Sequence, residues 1–112
     1  MNMVNIEAGK PDVRTACMLV DAHIATAKRQ GLHVLKIIHG YGSTGVGGVL
    51  RTKIRQYLKE PKFASTVTAI IPGEKWEIFD TDAQKLLQKY PEMGKDSDLG
   101  RCNHGITLVV MK

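Results

Sequence analysis

Val34-Leu-Lys-Ile-Ile-His39-Gly-Tyr-Gly-Ser-Thr-Gly45-Val-Gly-Gly-Val-Leu-Arg51 decides how the rest of the chain reads. It opens as an apolar run, passes through a loop carrying Gly40, Gly42, Gly45, Gly47 and Gly48, and ends in a basic helical pattern. Glycines at that density let backbone N–H groups approach a ligand closely, and a helix start just behind them favours an anion. The first expectation is a phosphate-contacting loop.

Upstream of the loop, Met3–Ile6 reads as a short strand that stops at the turn Ala8-Gly9-Lys10-Pro11. Asp12–Gln30 has helical spacing, with Val13, Cys17, Val20, Ile24 and Ala27 on one stripe and Gly31 at its end. Leu32–Ile38 is then a second strand. Strand, helix and strand in this order predict a parallel βαβ unit with a right-handed crossover. The glycine loop leaves the carboxyl end of that strand, where open α/β sheets place their ligands.

Downstream, Val49–Lys59 is an amphipathic helix with Leu50, Ile54 and Leu58 on one face. Arg51 and Arg55, four apart, share another side. Pro61 closes it, and Ala64–Ile71 is a β-branched third strand ended by Pro72-Gly73. The segment of about 74–103 breaks the alternation. Trp76, Phe79, Leu86, Leu87 and Tyr90 predict that it packs, with a short helix over Thr81–Lys89. Gly105–Met111 is a terminal strand. The order is βαβαβ, an insert, then β, in one domain spanning 1–112.

A chain of 112 residues suits one core rather than two, and with only 5% aromatic residues that core is aliphatic. The net charge of +5 favours polyanionic partners. Cys17 and Cys102 have no paired metal-ligand spacing and read as two reduced thiols. No apolar run approaches the ~20 residues of a membrane span, and the amino terminus lacks the form of a secretory signal. A cytoplasmic location, away from membranes, is expected.

Gly40-Tyr-Gly-Ser-Thr-Gly45 is a literal GxGxxG between a strand and a helix. No acidic residue follows at the end of the next strand, since Glu60 falls in the helix tail, and a strand and helix already precede the loop. No dinucleotide cofactor is expected. A Walker loop fails for want of Gly-Lys-Ser/Thr at the required spacing. Arg51 in a first helical turn opposes the helix dipole, which a bound phosphate would explain. Glu74, Glu77, Asp80 and Asp82 form an acidic cluster without metal-ligand spacing, so no metal site is expected.

Ile37-Ile-His-Gly-Tyr-Gly42 followed by Leu50-Arg51 resembles the second signature of the Smr (small MutS-related) domain: an apolar strand, His-Gly-x-Gly, then Leu-Arg in a helix. Gly105-Ile-Thr-Leu-Val-Val110 resembles that family's final strand, and the helix ending in Lys28-Arg-Gln-Gly31 resembles its first helix. The resemblance implies an α/β two-layer sandwich with a mixed four-stranded sheet, similar to the C-terminal domain of a bacterial translation initiation factor. It also implies binding of DNA or RNA, nicking in several members, and links to DNA repair, recombination or ribosome rescue. The family's first signature, Leu-Asp-Leu-His-Gly, is replaced by Val4-Asn-Ile-Glu-Ala-Gly9, and the glycine loop is longer than usual.

The expected function is therefore contact with nucleic-acid backbone through His39, Gly40, Tyr41, Gly42, Ser43, Thr44, Gly45, Arg51 and Arg55. The alternative is a nicking endonuclease with His39 as base, Glu7 beside it and a divalent metal such as Mg²⁺; otherwise no cofactor is expected. A third reading is a protein-interaction module that docks a partner through Trp76 and Phe79.

Overall fold

A computed structural model of the chain describes residues 1–41 and 46–112. Its strands are β1 (Asn2–Asn5), β2 (Val34–Ile38), β3 (Val67–Pro72) and β4 (Ile106–Met111). Helices α1 (Val13–Arg29) and α2 (Val46–Tyr57) follow β1 and β2, and α3 (Thr81–Lys89) lies between β3 and β4. The sheet order is β1-β2-β4-β3. β1 and β2 are parallel, as the βαβ pattern predicts, and β4 runs antiparallel to both β2 and β3. The sheet is therefore mixed. The carboxyl ends of β1, β2 and β3 share one edge with the beginning of β4.

Local chemistry explains where the elements stop. The Asp12 side chain accepts from Thr15 N at 2.8 Å and caps α1. Gly31, at φ +70°, turns the chain out of that helix. Leu32 N then bonds back to Ala27 O at 2.9 Å, so β2 starts at Val34 rather than Leu32. The helix expected over Val49–Lys59 spans Val46–Tyr57 instead. Its end tightens as Lys59 N and Glu60 N reach only three residues back, ahead of Pro61. The third strand starts three residues later than its β-branched run, because Ala64 N and Thr66 N are held in local turn bonds by Pro61 O and Phe63 O.

Alternation along β2 and β4 sends side chains to two cores. Leu35, Ile37, Val109 and Met111 pack with Ala16, Val20 and Ile24 of α1 and Leu50, Ile54 and Leu58 of α2. Val34 and Leu108 face the other way, into Trp76, Ala83, Leu86 and Met93. Fully burying each such aliphatic residue contributes about 1.5–3 kcal/mol. The α1/α2 layer over the sheet is the expected sandwich. The 74–103 segment covers the sheet's second face, which is why β2 and β4 are apolar on both sides.

One charged residue breaks that pattern. Lys36, at the middle of β2, is 1% exposed. Its Nζ donates to Asp96 Oδ1 and Oδ2 at 2.7 and 2.9 Å and to Asp98 Oδ2 at 2.5 Å. Trp76 Nε1–H donates to Asp96 Oδ2 at 2.9 Å, and Asn103 Nδ2 to Asp98 Oδ1 at 3.0 Å. This network ties the covering segment to the sheet. Among the described residues no helix is long and apolar enough to cross a membrane.

Candidate functional site

The edge where β1, β2 and β3 end gathers most of the chemistry-bearing residues. His39 N and Gly40 N both bond to Gly105 O, at 2.9 and 3.0 Å, so the start of the glycine loop is stitched to the start of β4. Gly40 takes φ +76°, and a Cβ there would lie 1.8 Å from Glu7 Oε2. Only glycine meets both demands. Glu7, from the segment after β1, thus lies against the loop. Gly42, Ser43, Thr44 and Gly45 fall outside the described residues.

His39 is not at the surface. It is 0% exposed, and both ring nitrogens are engaged, Nδ1 with Gly40 O at 2.7 Å and Nε2 with Thr107 Oγ1 at 2.8 Å. A carbonyl oxygen only accepts, so Nδ1 carries the proton and Nε2 accepts from the Thr107 hydroxyl. Burial is the main cause that lowers the His39 pKa to about 4, opposed by the Gly40 bond and assisted by Arg55 and Arg51. The ring is a neutral strut between loop and sheet. This corrects the expectation that His39 touches phosphate or acts as a base from an open site: no lone pair of the ring faces outward.

Arg55 is also heavily engaged within the fold. Its Nη1 and Nη2 form a fork on Glu74 at 3.0 and 2.8 Å, its Nε donates to Thr107 Oγ1 at 2.9 Å, and Nη2 reaches Ile106 O at 3.0 Å. Four of the guanidinium's bonds are thus made inside the fold, though its side chain stays partly exposed in the groove beside α2. Burial works against the Glu74 carboxylate, but the Arg55 fork outweighs it and holds its pKa below the usual value. Glu74, Arg55, Thr107 and His39 make one continuous chain of bonds ending at Gly40. Thr107, 0% exposed, is the member that sequence reading missed. The available signal was a lone hydroxyl residue within an apolar strand.

Arg51 stands one turn earlier on α2. Among the described residues no hydrogen bond or ion pair engages it. With Thr52, Gln56, Lys59 and His104 it lines an open groove of about 450 Å³, floored by Arg55 and Glu74. A second cavity of about 400 Å³ adjoins at His104 and is lined by Tyr41, Asp98, Arg101, Cys102 and Asn103. Tyr41 is 61% exposed.

The covering segment divides differently from expectation. Trp76 is 0% exposed and is a core residue bonded to Asp96, so it cannot dock a partner; Phe79 is 82% exposed. Of the acidic cluster, Glu74 serves Arg55 and Asp80 caps α3 by accepting from Ala83 N at 3.1 Å. Among the described residues no group of three or more His, Cys, Asp or Glu is placed to hold a metal ion.

Comparison with known proteins adds three findings. The family model described as the Smr domain matches residues 10–77. No curated protein matches the chain. Among solved structures, the crystal structure of the Smr domain of Thermus thermophilus MutS2 is similar, with a TM-score of 0.62 at 21% identity, over 100% of this chain and 99% of that one. At that identity the likeness speaks for the fold.

Proposed function

The chain belongs to the Smr domain family, and from that premise we propose that it binds the backbone of DNA or RNA along the groove beside α2. Arg51 and Lys59 supply charge to the phosphates, Thr52 and Gln56 supply neutral hydrogen-bonding groups, and exposed Tyr41 offers a ring for an unpaired base. The observation that carries the reading is the groove itself: cationic side chains that, among the described residues, make no internal hydrogen bond or ion pair, at the edge where β1, β2 and β3 end, on a chain of net charge +5. His39 and Arg55 belong to the reading as supports that set the loop and the groove floor. The buried, neutral His39 is not placed to serve the nicking alternative as its base, so binding is the reading adopted.

The test is fluorescence anisotropy with duplex DNA, single-stranded DNA and hairpin RNA at about 50 and 200 mM salt. Affinity is expected to fall steeply with salt and to depend little on sequence. Arg51→Ala and Lys59→Ala should each weaken every ligand alike and reduce the salt slope by about one. Binding that both variants leave unchanged would sink the proposal.

A further inference from the structure

Cys102, His104 and Glu74 stand in line beside the groove, and backbone-binding uses none of them as a phosphate contact. Cys102 Sγ lies 3.6 Å from His104 Nε2, and His104 Nδ1 lies 3.3 Å from Glu74 Oε2. A thiol, an imidazole that faces it and a carboxylate that holds the imidazole are the parts of an activated nucleophile. We propose that Cys102 is a reactive thiol that exchanges with small, carboxylate-bearing disulfides.

The array is held from both ends. Arg55 fixes Glu74 through its fork. Gly73 is buried against the opposite turn so closely that a Cβ would come 1.9 Å from Asn103 O. Asn103 in turn donates to Asp98 and accepts from Gly105 N at 2.9 Å. The turn bearing Cys102 and His104 is thereby clamped to the end of β3, and the thiol itself is exposed. The cavity in front of it, about 400 Å³, has Arg101 and Tyr41 in its lining. That volume admits a small disulfide, and Arg101 suits one with carboxylates.

In the step, His104 Nε2 takes the thiol proton while Cys102 Sγ attacks one sulfur of the disulfide. The new S–S bond forms as the old one breaks. The leaving thiolate collects the proton from the imidazolium, whose charge the Glu74 carboxylate, 3.3 Å from Nδ1, steadies in the meantime. The disulfide is the oxidant, and one small thiol leaves. Cys17 is the internal control: it is only partly exposed on α1, and burial followed by the charges of Asp21 and Glu60 raises its thiol pKa.

The full chain is incubated with oxidised glutathione at pH 7 and followed by mass spectrometry with peptide mapping. One adduct is expected, on Cys102, forming at least about tenfold faster than on Cys17. His104→Gln should slow Cys102 about tenfold at pH 7 yet match the parent at about pH 10, where hydroxide replaces the base, with an unchanged circular-dichroism spectrum as the check on its fold. Arg101→Ala should slow oxidised glutathione but not the cationic disulfide cystamine. Equal rates at the two cysteines, or a His104→Gln variant that reacts like the parent at pH 7, would overturn the proposal.

Discussion

Two polar networks cross this small domain, one on each side of β4, and they are built to opposite ends. On the covered face, Lys36 is enclosed by Asp96 and Asp98 with Trp76 donating to the same carboxylate. Every partner of the ammonium comes from the segment that lies over the sheet, and Asp98 passes the network on only through Asn103. At the sheet's edge, Glu74, Arg55, Thr107 and His39 are strung from an exposed turn to a buried ring. One network closes a core; the other transmits position to a loop. A buried charge alone does not mark function, and what separates the two is what the bonds fix: one pins the covering segment to the sheet, the other sets the start of a loop beside a groove.

The sharpest break of that contrast is Lys36→Met. Removing the ammonium leaves two carboxylates facing each other beneath the covering segment, so about 3–5 kcal/mol should be lost in urea unfolding. The His39 ring signals of the molecules that remain folded should not move. A stable Lys36→Met variant would deny this network its hold on the core, and shifted His39 resonances would mean the two networks are one.

Arg55→Ala should cost less, about 2 kcal/mol, because its ion pair is partly solvated and water can replace some of its bonds. Its effect on the edge should be larger. The Thr107 hydroxyl loses the donor that orients it toward His39 Nε2, so the ring's nitrogen chemical shifts should report a changed tautomer balance. Arg55→Lys should rescue poorly, since an ammonium cannot reproduce the fork on Glu74 together with the bond to Thr107. Full recovery with lysine would reduce Arg55 to a simple surface charge.

The sequence made one of these networks half visible and hid the other. His39 and Gly40 were legible because a strand, a His-Gly pair and a helix start lie within fifteen residues and carry a known pattern. Their partners were not. Thr107 meets His39 only because β4 inserts between β2 and β3, a pairing set by contacts almost seventy residues apart. Arg55 looked like a surface cation on its helix, and nothing in its neighbourhood announces Glu74 across the groove. The Lys36 network had a faint signal, a lysine inside an apolar strand and two aspartates two apart in a distant polar run. Element order followed from periodicity, whereas the commitments of individual charges depend on tertiary pairing, which periodicity does not encode.

Acid separates the networks most finely. His39 has a folded pKa of about 4 against an ordinary 6.5, so between those values the unfolded chain takes up a proton that the folded chain refuses. Stability from this ring is complete above pH 6.5 and declines as pH falls toward 4, with about 1 kcal/mol lost between pH 6.5 and 5.5. The carboxyl of Asp98 is also lowered: burial opposes ionisation, but the bonds from Lys36 and Asn103 outweigh it. Its contribution is present above the ordinary aspartate range and is lost only as pH falls through that range and below. The edge network should therefore loosen first, and the Lys36 network should outlast it. Urea midpoints of the parent and His39→Asn, compared from pH 7 to 5, read this directly. The variant begins less stable, having lost the strut, but its curve should be flatter across the window. Parallel curves would place the acid-sensitive group elsewhere and remove His39 as the element that distinguishes the edge from the core.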